Sequence, residues 1–206
     1  MRVLSIDIGY KNLGYCIVDF NTTFDKVDDE DEDYEALLQL PMLFDLFTID
    51  DKRSSLDIVS YRNSKIIEFF KNIPKCDEII IERQVPHNTI AMELMYSIDN
   101  CAIMNYINWH NVSEKEAVKH IHIFDPKIKF TFYHEPYETK FKAHKKKSIK
   151  FATNYLNQHE NSELIKKFKT FQKKDDVSDA INQCLTWFIS TKKYAWREVM
   201  LTIYQL

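Results

Sequence analysis

Glycine is nearly missing from this chain. Among 206 residues there are two, Gly9 and Gly14, both near the start. With no glycine after them, a Gly-rich phosphate loop is excluded. Cysteine is scarce as well. The four cysteines, Cys16, Cys76, Cys101 and Cys184, show no C-x-x-C pairing and no zinc spacing. Each sits in an apolar context and reads as a buried free thiol in a reducing compartment. No apolar run reaches about eighteen residues, so no membrane span is expected. The strand-like pattern starts at Arg2-Val3, which leaves no room for a removable leader. No Arg-rich import prefix precedes it, so neither secretion nor mitochondrial import is expected, and the compartment should be intracellular. No internal repeat is visible.

The remaining composition is that of a soluble globular chain, with 45% hydrophobic and 29% charged residues. Its length suits one α/β domain over residues 1–206. The net charge of −3 averages two unlike segments. From Asp25 to Glu35, eight acids stand against Lys26. This stretch has no apolar period and reads as a mobile acidic insertion at about 20–42. From Lys127 to Lys174, thirteen lysines outnumber four acids, a surface suited either to a polyanion or to plain solvation. Within it, "FTFYHEPYETKFKAHKKK" interleaves aromatics with lysines, as surfaces that open nucleic-acid junctions can, although Phe130 and Phe132 read better as core.

The hydrophobic pattern gives strands at 2–8, 14–20, 42–49, 77–84 and 120–126. Helices follow at 60–73, about Ile90 to Tyr106, 146–157 and 175–193. "GYKNLG" is then a hairpin turn flanked by both glycines, placed there for positive φ or for close approach of another group. The order predicts an α/β fold, a five-stranded mixed sheet flanked by helices.

Acids then appear where apolar residues belong. Asp7 interrupts the first strand between Ile6 and Ile8. A carboxylate buried there without a partner is costly. Glu82 follows the apolar run 79–81 at the end of the fourth strand. Asp176 and Asp179, three apart, share a face of the last helix. Asp175 beside them serves either as the helix cap or as a further ligand, and Asp176 has the same ambiguity. Four converging carboxylates would repel one another and oppose folding. Divalent cations remove that conflict, and hard oxygen ligands suit Mg²⁺ or Mn²⁺. Two such ions about 3.5–4 Å apart can activate water and stabilise the leaving oxygen of a phosphodiester. His120 and His122 also sit at metal-ligand spacing, but ordinary placement on one sheet face accounts for them.

The stretches "IDIGYKNLGYCIV", "IIIERQ" and "DDVSDA", in this order and on these elements, resemble the RNase H-like Holliday junction resolvases of the RuvC group. The "DIGYKN" and "IERQ" forms are closest to the poxvirus resolvases and the yeast mitochondrial cruciform-cutting nucleases. The lack of a transit peptide favours the large-DNA-virus branch, with the host cytoplasm as the working compartment. The resemblance implies paired, symmetric cutting of four-way DNA junctions by a homodimer, in recombination or in resolving viral genome concatemers. It implies Asp7, Glu82, Asp176 and Asp179 as metal ligands and catalytic residues, two Mg²⁺ per site, with Mn²⁺ able to substitute. It also implies a catalytic lysine before the last acidic pair. Lys146 or Lys147 is favoured within the run Lys145, Lys146, Lys147, with Lys150 nearby. These four lysines, with Lys11, Asn12, Arg83 and Gln84, are the expected DNA contacts. The dimer is expected to form through the Met-rich helix from Ile90 to Tyr106, carrying Met92, Met95 and Met104.

Three other readings compete. "DIGYKNLGY" also resembles the phosphate hairpin of sugar kinases and actin-like ATPases, but these need a second Asp-Gly turn that the chain does not supply. A non-catalytic DNA-binding module would have no use for all four acids. Another RNase H-like nuclease, acting on RNA/DNA hybrids or as a transposase, is the nearer alternative.

Overall fold

The computed structural model describes residues 1–20, 42–49, 58–127, 141–158 and 162–192. The acidic insertion, apart from its edges at Phe20 and Met42, lies outside the described residues. So does most of the aromatic–lysine stretch, including Phe130 and Phe132.

Five strands form one mixed sheet. They are β1 (Arg2–Ile8), β2 (Asn12–Asp19), β3 (Met42–Thr48), β4 (Glu78–Glu82) and β5 (Ile121–Phe124). Their order across the sheet is β3-β2-β1-β4-β5. β2 is antiparallel to both β1 and β3, while β4 is parallel to β1 and to β5. Six helices are described: α1 (Ile58–Asn72), α2 (Thr89–His110), α3 (Glu114–Ala117), α4 (Phe141–Gln158), α5 (Ser162–Thr170) and α6 (Lys174–Lys192). Among the described residues, no helix is long and apolar enough to cross a membrane.

β1 is buried on both faces, and its period-2 alternation decides what each face meets. Leu4, Ile6 and Ile8 join Ile79 and Ile81 of β4 under α1 and α2, packing on Ile66, Phe69, Phe70, Leu94 and Ile98. Val3 joins Cys16 and Val18 of β2 and Ile80 of β4 on the opposite face. There they meet Ala152 and Tyr155 of α4, Phe168 of α5, and Val177, Ala180, Ile181 and Cys184 of α6. Each fully buried aliphatic side chain contributes roughly 1.5–3 kcal/mol, so these two layers dominate the stability. By the same alternation Asp7 belongs to the Val3 face, and Glu82 to the Ile80 face. Both acids are thereby directed to the side of the sheet that α6 covers.

Several boundaries differ from expectation. β2 starts at Asn12, so the hairpin turn is only Gly9–Lys11, closed by the Gly9 N–H donating to the Asn12 carbonyl at 3.0 Å. Neither glycine has positive φ; close approach is what they provide. A Cβ on Gly14 would lie 2.2 Å from the Asp176 carbonyl oxygen, so only glycine lets α6 seat its first turn on β2. α2 runs on to His110 and ends where Asn111 takes the left-handed conformation, φ 53°. α4 begins five residues before the expected 146. The short helices α3 and α5 lie outside the elements that the hydrophobic pattern predicts.

The cysteines are free, with Cys16, Cys76 and Cys184 buried and Cys101 half-buried. Ala91, Met95, Ile98, Ala102 and Tyr106 of α2 bury as one stripe. Met95 therefore belongs to the core, not to an outer face. Tyr96 and Met104 are exposed on α2.

Candidate active site

The C-terminal ends of β1 and β4 and the first turns of α6 border one cleft of about 710 Å³. Asp7, Glu82, Asp176 and Asp179 all line it. Asp7 is 7% exposed and pairs in register with Gly14, the residue on which the α6 backbone rests. The strand acid and the helix acids are thus brought together by one glycine contact.

Each helix acid has a partner. Asp175 accepts from Lys145 Nζ. It lies inside the first turn of α6 and pairs with a lysine of α4, so it is not the helix cap. Lys173 Nζ lies 3.7 Å from Asp176 Oδ2. Asp179 Oδ1 accepts from the Ser148 hydroxyl. On β4, Glu82 Oε2 accepts from Gln84 Nε2 at 2.9 Å. Burial pushes the Asp176 carboxyl above the ordinary carboxylate value, and the neighbouring Asp175 adds to this. Burial works against the Lys145 ammonium, but the bond to Asp175 and the charges of Asp175, Asp176 and Asp179 outweigh it and hold it above the ordinary lysine value.

Among the described residues, no three His, Cys, Asp or Glu side chains gather tightly enough to make a finished metal cage. The donor chemistry nonetheless fits a hard divalent cation. Four carboxylates border one cleft, and at least one of them is disfavoured as an anion there. Lysine ammoniums supply the positive charge among the helix acids.

Of the other expected contacts, Lys11 and Lys145 line the cleft. Lys146 and Lys147 do not, because α4 turns about 100° per residue and the inward positions are 145, 148, 152 and 155. Lys146 and Lys150 are exposed and Lys147 is half-buried. The lysine that the helix presents to the acids is therefore Lys145, not the favoured Lys146 or Lys147. Asn12 accepts from the Thr48 hydroxyl at 3.1 Å across β2 and β3, a sheet contact away from the cleft. Arg83 is exposed beyond β4, and Gln84 is engaged with Glu82.

Lys173, His144 and Tyr10 also line the cleft and were not anticipated. Lys173 stands three residues before Asp176, a spacing that could have suggested the pair. Tyr10 donates its hydroxyl to Asn88 Oδ1 at 2.6 Å, tying the β1–β2 turn to the start of α2. At the other end of β4, Glu78 is held by both His120 Nδ1 (3.0 Å) and His122 Nε2 (2.7 Å). The histidines thus have a sheet-edge role far along the strand from Glu82.

No protein-family model matches the chain. The uncharacterized protein 170L of Invertebrate iridescent virus 6 is 28% identical over 120 residues, 53% of this chain and 49% of that protein. The match therefore spans about half the length of that relative. Among solved structures, the Fowlpox virus resolvase in complex with Holliday junction DNA superposes with a TM-score of 0.55 at 16% identity, covering 93% of this chain and 99% of that one. The yeast mitochondrial Holliday junction resolvase gives 0.57 at 15% identity, over 98% and 85% of the two chains. Thermus thermophilus RuvC gives 0.54 at 11% identity, over 95% and 98%. Strand order, strand directions and these superpositions agree: the chain has the RNase H-like α/β fold of the RuvC-like Holliday junction resolvases.

Proposed function

We propose that the chain is a metal-dependent endonuclease that cuts four-way DNA junctions. The observation that carries this reading is the meeting of Asp7, Glu82, Asp176 and Asp179, from two strands and a helix, in one cleft of a resolvase fold. These four side chains would hold Mg²⁺, or Mn²⁺ in its place. A cation bound there would lower the pKa of a water and neutralise charge developing on a phosphodiester.

The chain's own residues do the rest. Lys145, held at the cleft wall by Asp175, offers an ammonium to a phosphate oxygen. Lys11 in the hairpin turn and Lys173 before α6 flank the same opening and would track the strand entering it. The exposed Lys146 and Lys150 on α4 would add sequence-independent affinity. A junction offers two symmetry-related strands, so one cleft per chain calls for a two-fold pair of chains. Exposed Tyr96 and Met104 on α2 support that helix as the contact, now through its outer face.

The test incubates purified protein and Mg²⁺ with a synthetic four-way junction, a linear duplex and an RNA/DNA hybrid. Paired cuts confined to the junction are expected. Asp7→Asn, Glu82→Gln and Asp179→Asn should each abolish cutting and leave junction binding intact. Preferential cutting of the hybrid would move the chain to another branch of the fold.

A further inference from the structure

We propose that Asn182 and Ser148 form a hydrogen-bonded relay that positions the Asp179 carboxylate for the cation. The proposal rests on the reading of the cleft as a metal-dependent nuclease site. Ser148 on α4 and Asn182 on α6 are each 1% exposed, polar residues set in the apolar seam between the two helices. Asn182 Nδ2 donates to the Ser148 carbonyl at 3.1 Å and to Ser148 Oγ at 2.8 Å. Ser148 Oγ in turn donates to Asp179 Oδ1.

The direction of the relay follows from chemistry. A serine hydroxyl has one hydrogen to give. Asn182 brings its own hydrogen to Ser148 Oγ, so the hydroxyl hydrogen is left for Asp179. Flipping the Asn182 amide would set its oxygen against the Ser148 carbonyl, two acceptors face to face. The amide therefore has one workable orientation, and its Oδ1 has no hydrogen-bond partner among the described residues. An unpaired buried amide oxygen is unfavourable. The two bonds to Ser148 are what this amide gains in return.

The placement is that of a positioning device. Lys145 and Ser148 lie one turn apart on the same face of α4. Their partners Asp175 and Asp179 lie one turn apart on α6. The two contacts form rungs between the helices, one ionic at the cleft wall and one buried. Asp179 sits with one oxygen fixed from behind while the residue lines the cleft. Neither Ser148 nor Asn182 lines the cleft, so they act through Asp179. Hydrogen bonds of this kind to ligand carboxylates orient them, and losing one typically costs about 10–100-fold in metal affinity.

The experiment measures Mn²⁺ binding to DNA-free protein by the loss of the free-ion electron paramagnetic resonance signal. Wild type, Asp179→Asn, Ser148→Ala, Asn182→Ala and the Ser148→Ala/Asn182→Ala double variant are compared, with thermal melts of each. Ser148→Ala should weaken Mn²⁺ binding about tenfold or more when measured well below its metal-free melting midpoint. Asn182→Ala should weaken it less. The double variant should bind no worse than Ser148→Ala, because Asn182 acts only through Ser148. In cleavage, Ser148→Ala should raise the Mn²⁺ requirement more than it lowers the rate at saturating Mn²⁺. Wild-type Mn²⁺ affinity in Ser148→Ala overturns the relay, and if Asn182→Ala fails to fold this variant decides alone. Additive losses in the double variant also overturn it. A wild-type protein that binds no Mn²⁺ and cuts no junction overturns the reading of the cleft, and the relay with it.

Discussion

Replacing Gly14 by alanine tests whether one backbone contact assembles the site. The added methyl would lie 2.2 Å from the Asp176 carbonyl oxygen, 2.6 Å from its carbon and 3.2 Å from the Val177 nitrogen. All three are backbone atoms of α6, so no flexible side chain can swing aside. Since Gly14 has no positive φ, the conformation itself would not penalise alanine. Overpacking of this kind costs about 1–3 kcal/mol, of which roughly 0.5–1 is returned by removing a glycine from a strand. The net loss is then about 0–2.5 kcal/mol, and for a chain of this size the melting midpoint should fall by up to about 10 °C. The consequence for activity is larger. To restore ordinary contact, the gap must widen from 2.2 Å to at least 3.4 Å, carrying Asp176 and Asp179 away from Asp7. A displacement of about 1 Å at reacting groups can cost about 100-fold in rate. Single-turnover cleavage of a four-way junction, run well below the melting midpoint, would measure it. A Gly14→Ala protein with wild-type melting and wild-type cleavage would refute the claim that this contact sets the spacing of the acids.

Three further outcomes follow from the same geometry. Lys145→Ala should slow cleavage about 100-fold or more, the usual scale for one donor positioned at developing charge. Lys146→Ala should only flatten the salt dependence of junction binding, with a slope change of about one; equal rate losses in both would contradict the helix rotation argued here. Asp176→Asn should raise the melting midpoint in metal-free buffer at neutral pH. The Asp176 carboxyl is raised above 3.8 in the folded protein, so the fold binds its proton more tightly than the unfolded chain does. The charged form is thus a penalty above the folded value, and the penalty fades as pH falls through that value. The gain from Asp176→Asn should fade over the same window, and a variant that melts no higher at pH 7 would contradict the sign. Burial pushes the Cys76 thiol up to about 12, and Cys184 is raised by burial too. A thiol reagent at pH 8 should therefore modify native protein at Cys101 at most, and rapid modification of Cys76 would show that its pocket opens.

Much of this arrangement can be read from the residues alone. The buried strands announce themselves through apolar runs, and Asp7 and Glu82 stand out because they break those runs at the ends. Asp179 stands out beside Ala180 and Ile181. What sequence patterns leave open is rotation about a helix whose start is misplaced. With α4 begun at 146, the lysine run has no fixed phase, and Lys146 and Lys147 are as eligible as Lys145. Once the helix starts at Phe141, the phase selects Lys145 and Ser148. Ser148 and Asn182 could have been found as polar residues on otherwise apolar stripes, the same signal that singled out Asp179. The sequence pattern places the start of β2 two residues late because Asn12 is a common turn residue, whereas in the fold it is held in the sheet by Thr48. α5 was hidden by its lysines, although Leu164, Ile165 and Phe168 have helical spacing and Phe168 reaches the core.

β4 carries an acid at each end, and the two sit in different surroundings. Glu78 is half-buried and clasped by two histidines, so both of its carboxylate oxygens are hydrogen-bonded locally. Glu82, four residues on, opens into a cleft with three other acids. The departures from local satisfaction collect around α6. The Asp176 carboxyl is raised, and Asn182 Oδ1 and Gln183 Oε1 are two of the four buried side-chain atoms without hydrogen-bond partners among the described residues. Gln183 meanwhile donates to the carbonyls of Ile6 and Ile80, at 3.3 and 3.4 Å, and so ties the strand of Asp7 to the strand of Glu82. Unfavourable groups concentrated where two strands and a helix end converge, and braced from behind, are what a binding site for a cation requires and a packing core does not. An acid inside an apolar strand is thus explained by what it faces: the first turns of a helix that close spacing at Gly14 brings within reach.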